Sequence, residues 1–264
     1  MSQNIWIKLD KTIEDQLKLQ VDISLNRHHG FMLKHELANC ENVVDIGTGD
    51  GLFLAKIAEK HPEIKFHGID NKSHMIEKAE SRQLSNCRWT LGDALDDETH
   101  NALSKTNGIL IRYFVLHMPN TRKAFSQICD TIAKGTKLWI FDLDLDHYIC
   151  EPEQEGFVLV KNIVEQFCAN NSVEISIGSK LPPILKDVGF IVNDIDFEPL
   201  NNQEIEQKKF AEYVFREAML YNYFLGNKPN SEDMKKIKHF LFNEMDRDKH
   251  YVQYGMVMIS AEKE

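Results

Sequence analysis

Val43-Val44-Asp45-Ile46-Gly47-Thr48-Gly49-Asp50-Gly51 is the stretch of this 264-residue chain whose residue types best suit ligand chemistry. An apolar, β-branched run turns through three alternate glycines into a helical segment from Leu52 to Lys60. Glycine is needed where the backbone takes positive φ or where a ligand must touch the main chain. A helix start beyond such a turn offers N–H groups to an anionic group. Asp70 stands nineteen residues past Gly51, at the end of the next strand candidate, where a carboxylate can bond ribose hydroxyls. The glycines run G-x-G-x-G, with Leu52 where a dinucleotide fingerprint carries its last glycine, so a nicotinamide dinucleotide is disfavoured.

Other candidates are less specific. Asp142, Asp144 and Asp146 alternate, so a persisting strand turns all three to one face at the ligand-binding edge of an open sheet. That row suits a solvated strand end, a cationic substrate group or a divalent cation. His117, just past a strand candidate, is placed for general-base work near neutrality or for simple packing against a cofactor. His28-His29 and His147-Tyr148 are further pocket candidates. Phe210, Tyr213, Val214, Glu217, Tyr221 and Phe224 share one face of a helix, which leaves Glu217 inside an apolar stripe. A buried carboxylate needs a partner, and a cationic substrate group or a basic residue from the N-terminal helices would serve. A face packed on the core with Glu217 at a wet edge is the simpler alternative.

These residues need elements to hold them. Strand candidates run Asn42–Ile46, Lys65–Ile69, Cys87–Leu91, Gly108–Arg112, Lys137–Asp142 and Phe190–Asp196, with amphipathic stretches between them, the rhythm of a wound parallel sheet. The helix after Gly51 should stop at His61-Pro62. Asn120 or Thr121 should cap a helix ended by Gly135, and Pro182-Pro183 suit the first turn of one closed by Gly189. Residues 1–40 read as amphipathic helices, and 41–264 as one α/β domain. Within it, a helical insertion over about 204–248, comprising Glu204–Leu225 and Ser231–Asp248, precedes a last strand from Tyr251 to Ser260.

The formal net charge of −10, with no long Lys/Arg run, argues against a nucleic-acid backbone as partner. Five scattered cysteines form no ligand cluster and are expected as reduced thiols, and no metal is expected. The opening residues lack a secretory pattern and no apolar run is long enough to span a bilayer, which predicts a cytoplasmic protein with no membrane partner.

Asp45, Gly47, Gly49 and Gly51 match motif I of the class I methyltransferases, an acidic residue followed by G-x-G-x-G, and the chain resembles that family. The likeness continues at Gly92-Asp93-Ala94, through Gly108 to Pro119, at Ala133-Lys134-Gly135, and through Gly178-Ser179-Lys180-Leu181-Pro182-Pro183 to Val188-Gly189-Phe190, covering roughly residues 40–200. Asn107-Gly108 departs from it, since the family usually has an acid at the start of that strand, and Arg112 is unusual near the strand's end. The resemblance implies an α/β, Rossmann-like, doubly wound and mostly parallel seven-stranded sheet with an antiparallel final strand, N-terminal helices and the helical insertion. It implies S-adenosylmethionine as cofactor, its methionine part on the glycine loop, its ribose on Asp70 and its adenine near Asp93. The expected cofactor contacts are Asp45, Gly47, Thr48, Gly49, Gly51, Asp70, Asn71, Met75, Gly92, Asp93, Ala94 and Arg112. No catalytic residue is assigned; His117, Asp144 and Glu217 are the candidates that the residues themselves offer. The implied activity is N- or O-methylation of a small molecule. Methylation of a protein, peptide or tRNA, and a non-catalytic S-adenosylmethionine-binding regulator, are the alternatives.

Overall fold

The computed structural model describes residues 3–94, 96–118, 120–173, 176–228 and 230–264, with side chains from residue 11 onward. The chain forms two compact units. One comprises Ser24–Leu143, Ser176–Phe197 and Val257–Glu264, and is called here the sheet unit; the other comprises Met1–Ile23, Asp144–Ile175 and Glu198–Met256, the helical unit. The sequence expectation of a helical segment 1–40 ahead of one domain divides the chain differently.

The sheet unit is built on β1 (Asn42–Ile46), β2 (Lys65–Asp70), β3 (Cys87–Leu91), β4 (Gly108–Arg112) and β5 (Lys137–Leu143). These lie in the order β3-β2-β1-β4-β5, and every neighbouring pair is parallel. In β1 the last four residues are buried, as expected for a central parallel strand covered on both faces. β8 (Tyr251–Lys263) lies next to β5 and also pairs with β7 (Phe190–Asn201). Lys263 N–H donates to the Thr136 carbonyl at 3.1 Å and Asp144 N–H to the Gly255 carbonyl at 3.1 Å. That register runs β8 antiparallel to β5.

The connecting helices are α2 (Leu52–Ala58), α3 (Ser73–Glu80), α4 (Asp97–Leu103), α5 (Thr121–Thr131) and α7 (Ile177–Asp187). The side chain of Asn120 caps α5 by accepting from Lys123 N–H. Pro182 and Pro183 do not open α7, because that helix starts at Ile177 and carries both prolines inside it.

α1 is a single helix, Gln3–Lys34, rather than several, and its two ends fall in different units. The helical unit also contains α6 (Glu155–Asn171), α8 (Gln207–Phe224) and α9 (Glu232–His239), the last running into a π-helical turn over Phe240–Glu244. α8 starts later than Glu204, and α9 gives way to the π turn well before Asp248. α6 packs against α8 and α9. Short β6 (Ile149–Glu151) pairs antiparallel with Tyr251–Gln253 of β8 and makes an eighth strand. All five cysteines are free thiols. No described helix is long and apolar enough to cross a membrane.

Candidate cofactor site

The carboxyl ends of β1 to β4 gather the expected cofactor residues on one sheet edge. Gly47, Gly49 and Gly51 all take positive φ, at 78°, 58° and 72°. A Cβ on Gly47 would stand 2.5 Å from Cδ2 of Phe114, and one on Gly51 would stand 2.7 Å from the Trp89 ring, so both positions need glycine for space as well as conformation. Gly47 and Thr48 donate their N–H groups to the Ile69 carbonyl, at 2.9 and 3.0 Å, which ties the loop to the end of β2.

Asp70 joins loop and strand. Gly49 N–H donates to its Oδ2 at 2.9 Å and Lys72 N–H to its Oδ1 at 3.0 Å. Burial raises the Asp70 pKa, while those two N–H groups work against the shift. Each oxygen holds one backbone donor and keeps acceptor capacity for a hydroxyl. Asn71 follows it at the exposed surface, and Met75 is buried in the first turn of α3. Gly92 N–H donates to the Asp70 carbonyl at 3.0 Å, bringing Gly92-Asp93-Ala94 alongside, with the Asp93 side chain exposed.

Asp45 is buried at the end of β1 and accepts from the Thr48 hydroxyl at 2.7 Å. Burial pushes its pKa up to about 7; the Thr48 bond and the Arg112 charge oppose this, and the Asp70 charge adds to it. Arg112, at the end of β4, lies over the rings of Phe53 and Tyr113 and donates to His28 Nδ1 at 3.3 Å and Ser24 Oγ at 3.2 Å. His28 itself is fully buried and stacked on Phe141, at 4.2 Å between centroids. His29 instead meets His61, with 2.8 Å between their Nε2 atoms.

The aspartate row does not form. β5 ends at Leu143, so Asp142, Asp144 and Asp146 have three separate environments. Asp142 is 0% exposed and accepts from Val115 N–H (2.6 Å), Leu116 N–H (3.3 Å) and Leu143 N–H (2.8 Å). It thereby fixes the turn Val115–His117, a role that the alternating pattern concealed. Asp144, buried in the helical unit, caps the turn Leu145–His147 through Asp146 N–H, while the Asp146 side chain is exposed. His117 keeps an exposed edge, yet crowding by protein lowers its pKa, with Lys72 adding a smaller repulsion.

Glu217 sits inside the apolar stripe of α8 as the helical period predicts, at 5% exposure. Among the described residues its hydrogen-bond partners are amides and a phenol rather than cations. Gln16 Nε2–H donates to Oε2 at 2.6 Å, and Tyr221 and Gln20 also hydrogen-bond to the carboxyl group. Arg216 pairs with Asp15 at 3.3 Å. Nothing local announces Gln16 or Gln20, whereas the Thr48 bond to Asp45 was readable from a hydroxyl three residues downstream.

A family model described as a methyltransferase domain matches residues 38–219. The chain belongs to that family, the class I methyltransferases that use S-adenosylmethionine. Curated relatives include an O-methyltransferase of Aspergillus nomiae, 29% identical over 118 residues, which are 43% of this chain and 51% of the relative. An O-methyltransferase of Pyrenophora dematioidea is 27% identical over 157 residues, 58% of this chain and 55% of that protein. The chain thus spans about half the length of these relatives. Among solved structures, the plantazolicin methyltransferase BpumL in complex with a monoazolic desmethylPZN analog and S-adenosylhomocysteine shares the fold with a TM-score of 0.59 at 14% identity, over 98% of this chain and 92% of that one.

Proposed function

We propose that this protein transfers the methyl group of S-adenosylmethionine to a nitrogen or oxygen atom of a small molecule. The observation that carries the reading is Asp70: a carboxylate at the end of β2, bonded at 2.9 Å to the N–H of a positive-φ glycine loop and with acceptor capacity in reserve.

In this reading Asp45, Gly47, Thr48, Gly49 and Gly51 hold the amino-acid end of the cofactor. Asp70 and Asn71 take the ribose, and Met75, Gly92, Asp93 and Ala94 surround the adenine. Arg112 sets the charge around Asp45. The cofactor supplies a methyl group on a positively charged sulfur. An acceptor lone pair forms the new bond to carbon, and the broken C–S pair goes to sulfur. No nucleophilic side chain is needed, so the chain's own contribution is placement, which can supply about 7–11 kcal/mol of barrier lowering. A neutral His117 would take up the acceptor's proton where one must leave. In the same reading the segment 204–248, which carries Glu217, sets acceptor choice, and Glu217 and Asp144 are the candidates for meeting a cationic group of the acceptor.

The acidic net charge and the O-methyltransferase relatives favour a small acceptor over tRNA or protein. Incubation with methyl-labelled S-adenosylmethionine and the fractionated contents of a cell extract tests the reading. Label should enter the low-molecular-weight fraction. Label confined to RNA or protein would overturn it.

A further inference from the structure

Away from the carboxyl ends of its strands, the sheet unit has a cavity of about 280 Å³ between α4 and the first residues of β1, β2 and β3. Parallel pairing sets the floor: Val44, His67 and Arg88 stand in one register row, with Asn42 and Lys65 in the row beside it. Both rows project to the same face, since side chains two apart on a strand point the same way. Over that face lie Glu98, Asn101, Ala102 and Lys105, from α4 and the turn that follows it, at the i, i+3, i+4 and i+7 spacing of one helix side.

A helix that covers a sheet ordinarily presents apolar residues to it, and protein interiors keep few voids larger than a water molecule. Here the covering positions are mostly polar and the space stays open. Among the described residues that line it, three cations, Lys65, Arg88 and Lys105, stand against one carboxylate, Glu98, which leaves a surplus of two positive charges. Glu98 reaches Arg88 only at 3.5 Å, and neither lysine has an ion pair among the described residues. That surplus is local, in a chain of net charge −10. His67 adds an uncharged donor. Its Nε2 lies 2.8 Å from the Thr90 hydroxyl, and Nδ1 has no hydrogen-bond partner among the described residues. Burial first, and then the Arg88 charge, push the His67 pKa down to about 4, so the ring is neutral near pH 7. With the Thr90 hydroxyl donating to Nε2, the Nδ1–H is left to donate.

We propose that this cavity is a second ligand site, which takes a small organic dianion, either a phosphate monoester or a dicarboxylate. Lys65 and Lys105 supply point charges, Arg88 a planar pair of donors, and Asn101 and His67 neutral ones, while Val44 and Ala102 face the ligand's carbon atoms. Its volume lies at the lower end of the range of ligand pockets, roughly 300–1,000 Å³, which fits a molecule of few atoms. Because it opens at the strand starts, it fills while the cofactor occupies the other edge of the sheet, whatever the methyl acceptor is. Glu98 competes with the ligand for Arg88.

Calorimetry on the full chain tests this with glycerol 3-phosphate and succinate against glycerol. Saturating S-adenosylhomocysteine keeps the probes off the cofactor residues, and about 0.15 M salt screens exposed charges beyond roughly 8 Å. At least one dianion should bind with a dissociation constant of about 1 mM or tighter, and glycerol should not bind. The tighter of the two dianions identifies the ligand's anionic group. Lys65→Gln and Lys105→Gln should each weaken binding roughly 3- to 10-fold, whereas Glu98→Gln should strengthen it about 3-fold by releasing Arg88. Ala102→Leu leaves every charge in place but fills the space, and should abolish binding with the fold intact. Lys123→Gln removes an exposed cation of α5 outside the cavity and should change nothing. Binding of neither dianion, ordinary binding in Ala102→Leu, or equal losses in Lys123→Gln and Lys65→Gln would overturn the proposal and leave a hydrated gap beneath α4. Should Ala102→Leu fail to fold, the signs decide: Glu98→Gln and Lys65→Gln moving affinity in the same direction would overturn it as well.

Discussion

Asp45 in the sheet unit and Glu217 in the helical unit are both buried carboxyl groups pushed up to about 7 by loss of water, yet the chain holds them in different ways. Asp45 takes its hydrogen bond from Thr48, three residues on, inside a turn whose shape depends on positive-φ glycines. Glu217 takes its bond from Gln16, 201 residues away, across two helices. In the first case the backbone makes the site; in the second, side chains from distant elements do. The two regions should therefore fail under different substitutions.

The sharpest break falls on the backbone. Gly47→Val forces a β-branched residue to φ 78° with its Cβ against Phe114. Cofactor binding should be lost altogether in calorimetry, while the circular dichroism of the fold survives. Binding of ordinary strength in this variant would mean that the loop is only a turn.

Removing a side chain from the same edge should cost less. Asp70→Ala deletes an acceptor of charge-assisted bonds worth about 1.5–3 kcal/mol, so affinity for S-adenosylhomocysteine should fall roughly 10- to 150-fold. Since Gly49 N–H and Lys72 N–H lose their partner too, Asp70→Asn, which keeps one acceptor oxygen, should fall between Asp70→Ala and the parent protein. A dissociation constant unchanged by Asp70→Ala would rule out the ribose role.

The same contrast explains what the sequence made legible. β1 to β4, the loop between Asp45 and Gly51, and the step to Asp70 each follow from neighbours within about twenty positions, and all were readable with their bounds to within a residue. Asp142 was misread because alternation along a strand says nothing about where the strand stops: β5 ends at Leu143, and three N–H groups claim the carboxylate. Short β6 and α6 left no punctuation strong enough to mark them. The burial of Glu217 was legible from the helical period, but its partners were not, because Gln16 and Gln20 reach it only through the packing of α1 against α8.

The smallest effect separates the two carboxyl groups by pH. Each has a folded pKa near 7 against an ordinary value of 3.8 for Asp or 4.5 for Glu. Between those limits the unfolded chain has released the proton and the folded chain retains it, so folding binds protons and stability falls as pH rises. The contribution is fully present below the ordinary value and is lost as pH passes about 7. Each pKa unit is worth about 1.4 kcal/mol, and relaxation of the folded state trims it, so the melting temperature should drop by on the order of a few degrees between pH 5 and pH 8 beyond the trend of Asp45→Asn or Glu217→Gln. Saturating S-adenosylhomocysteine should then tell the two apart. The amino group expected beside Asp45 favours its ionised form and flattens the part of the slope that Asp45→Asn removes, while the part removed by Glu217→Gln persists. If the parent protein and the double variant give parallel melting curves across that pH range, neither carboxyl group is held protonated by burial, and the likeness between the two regions disappears.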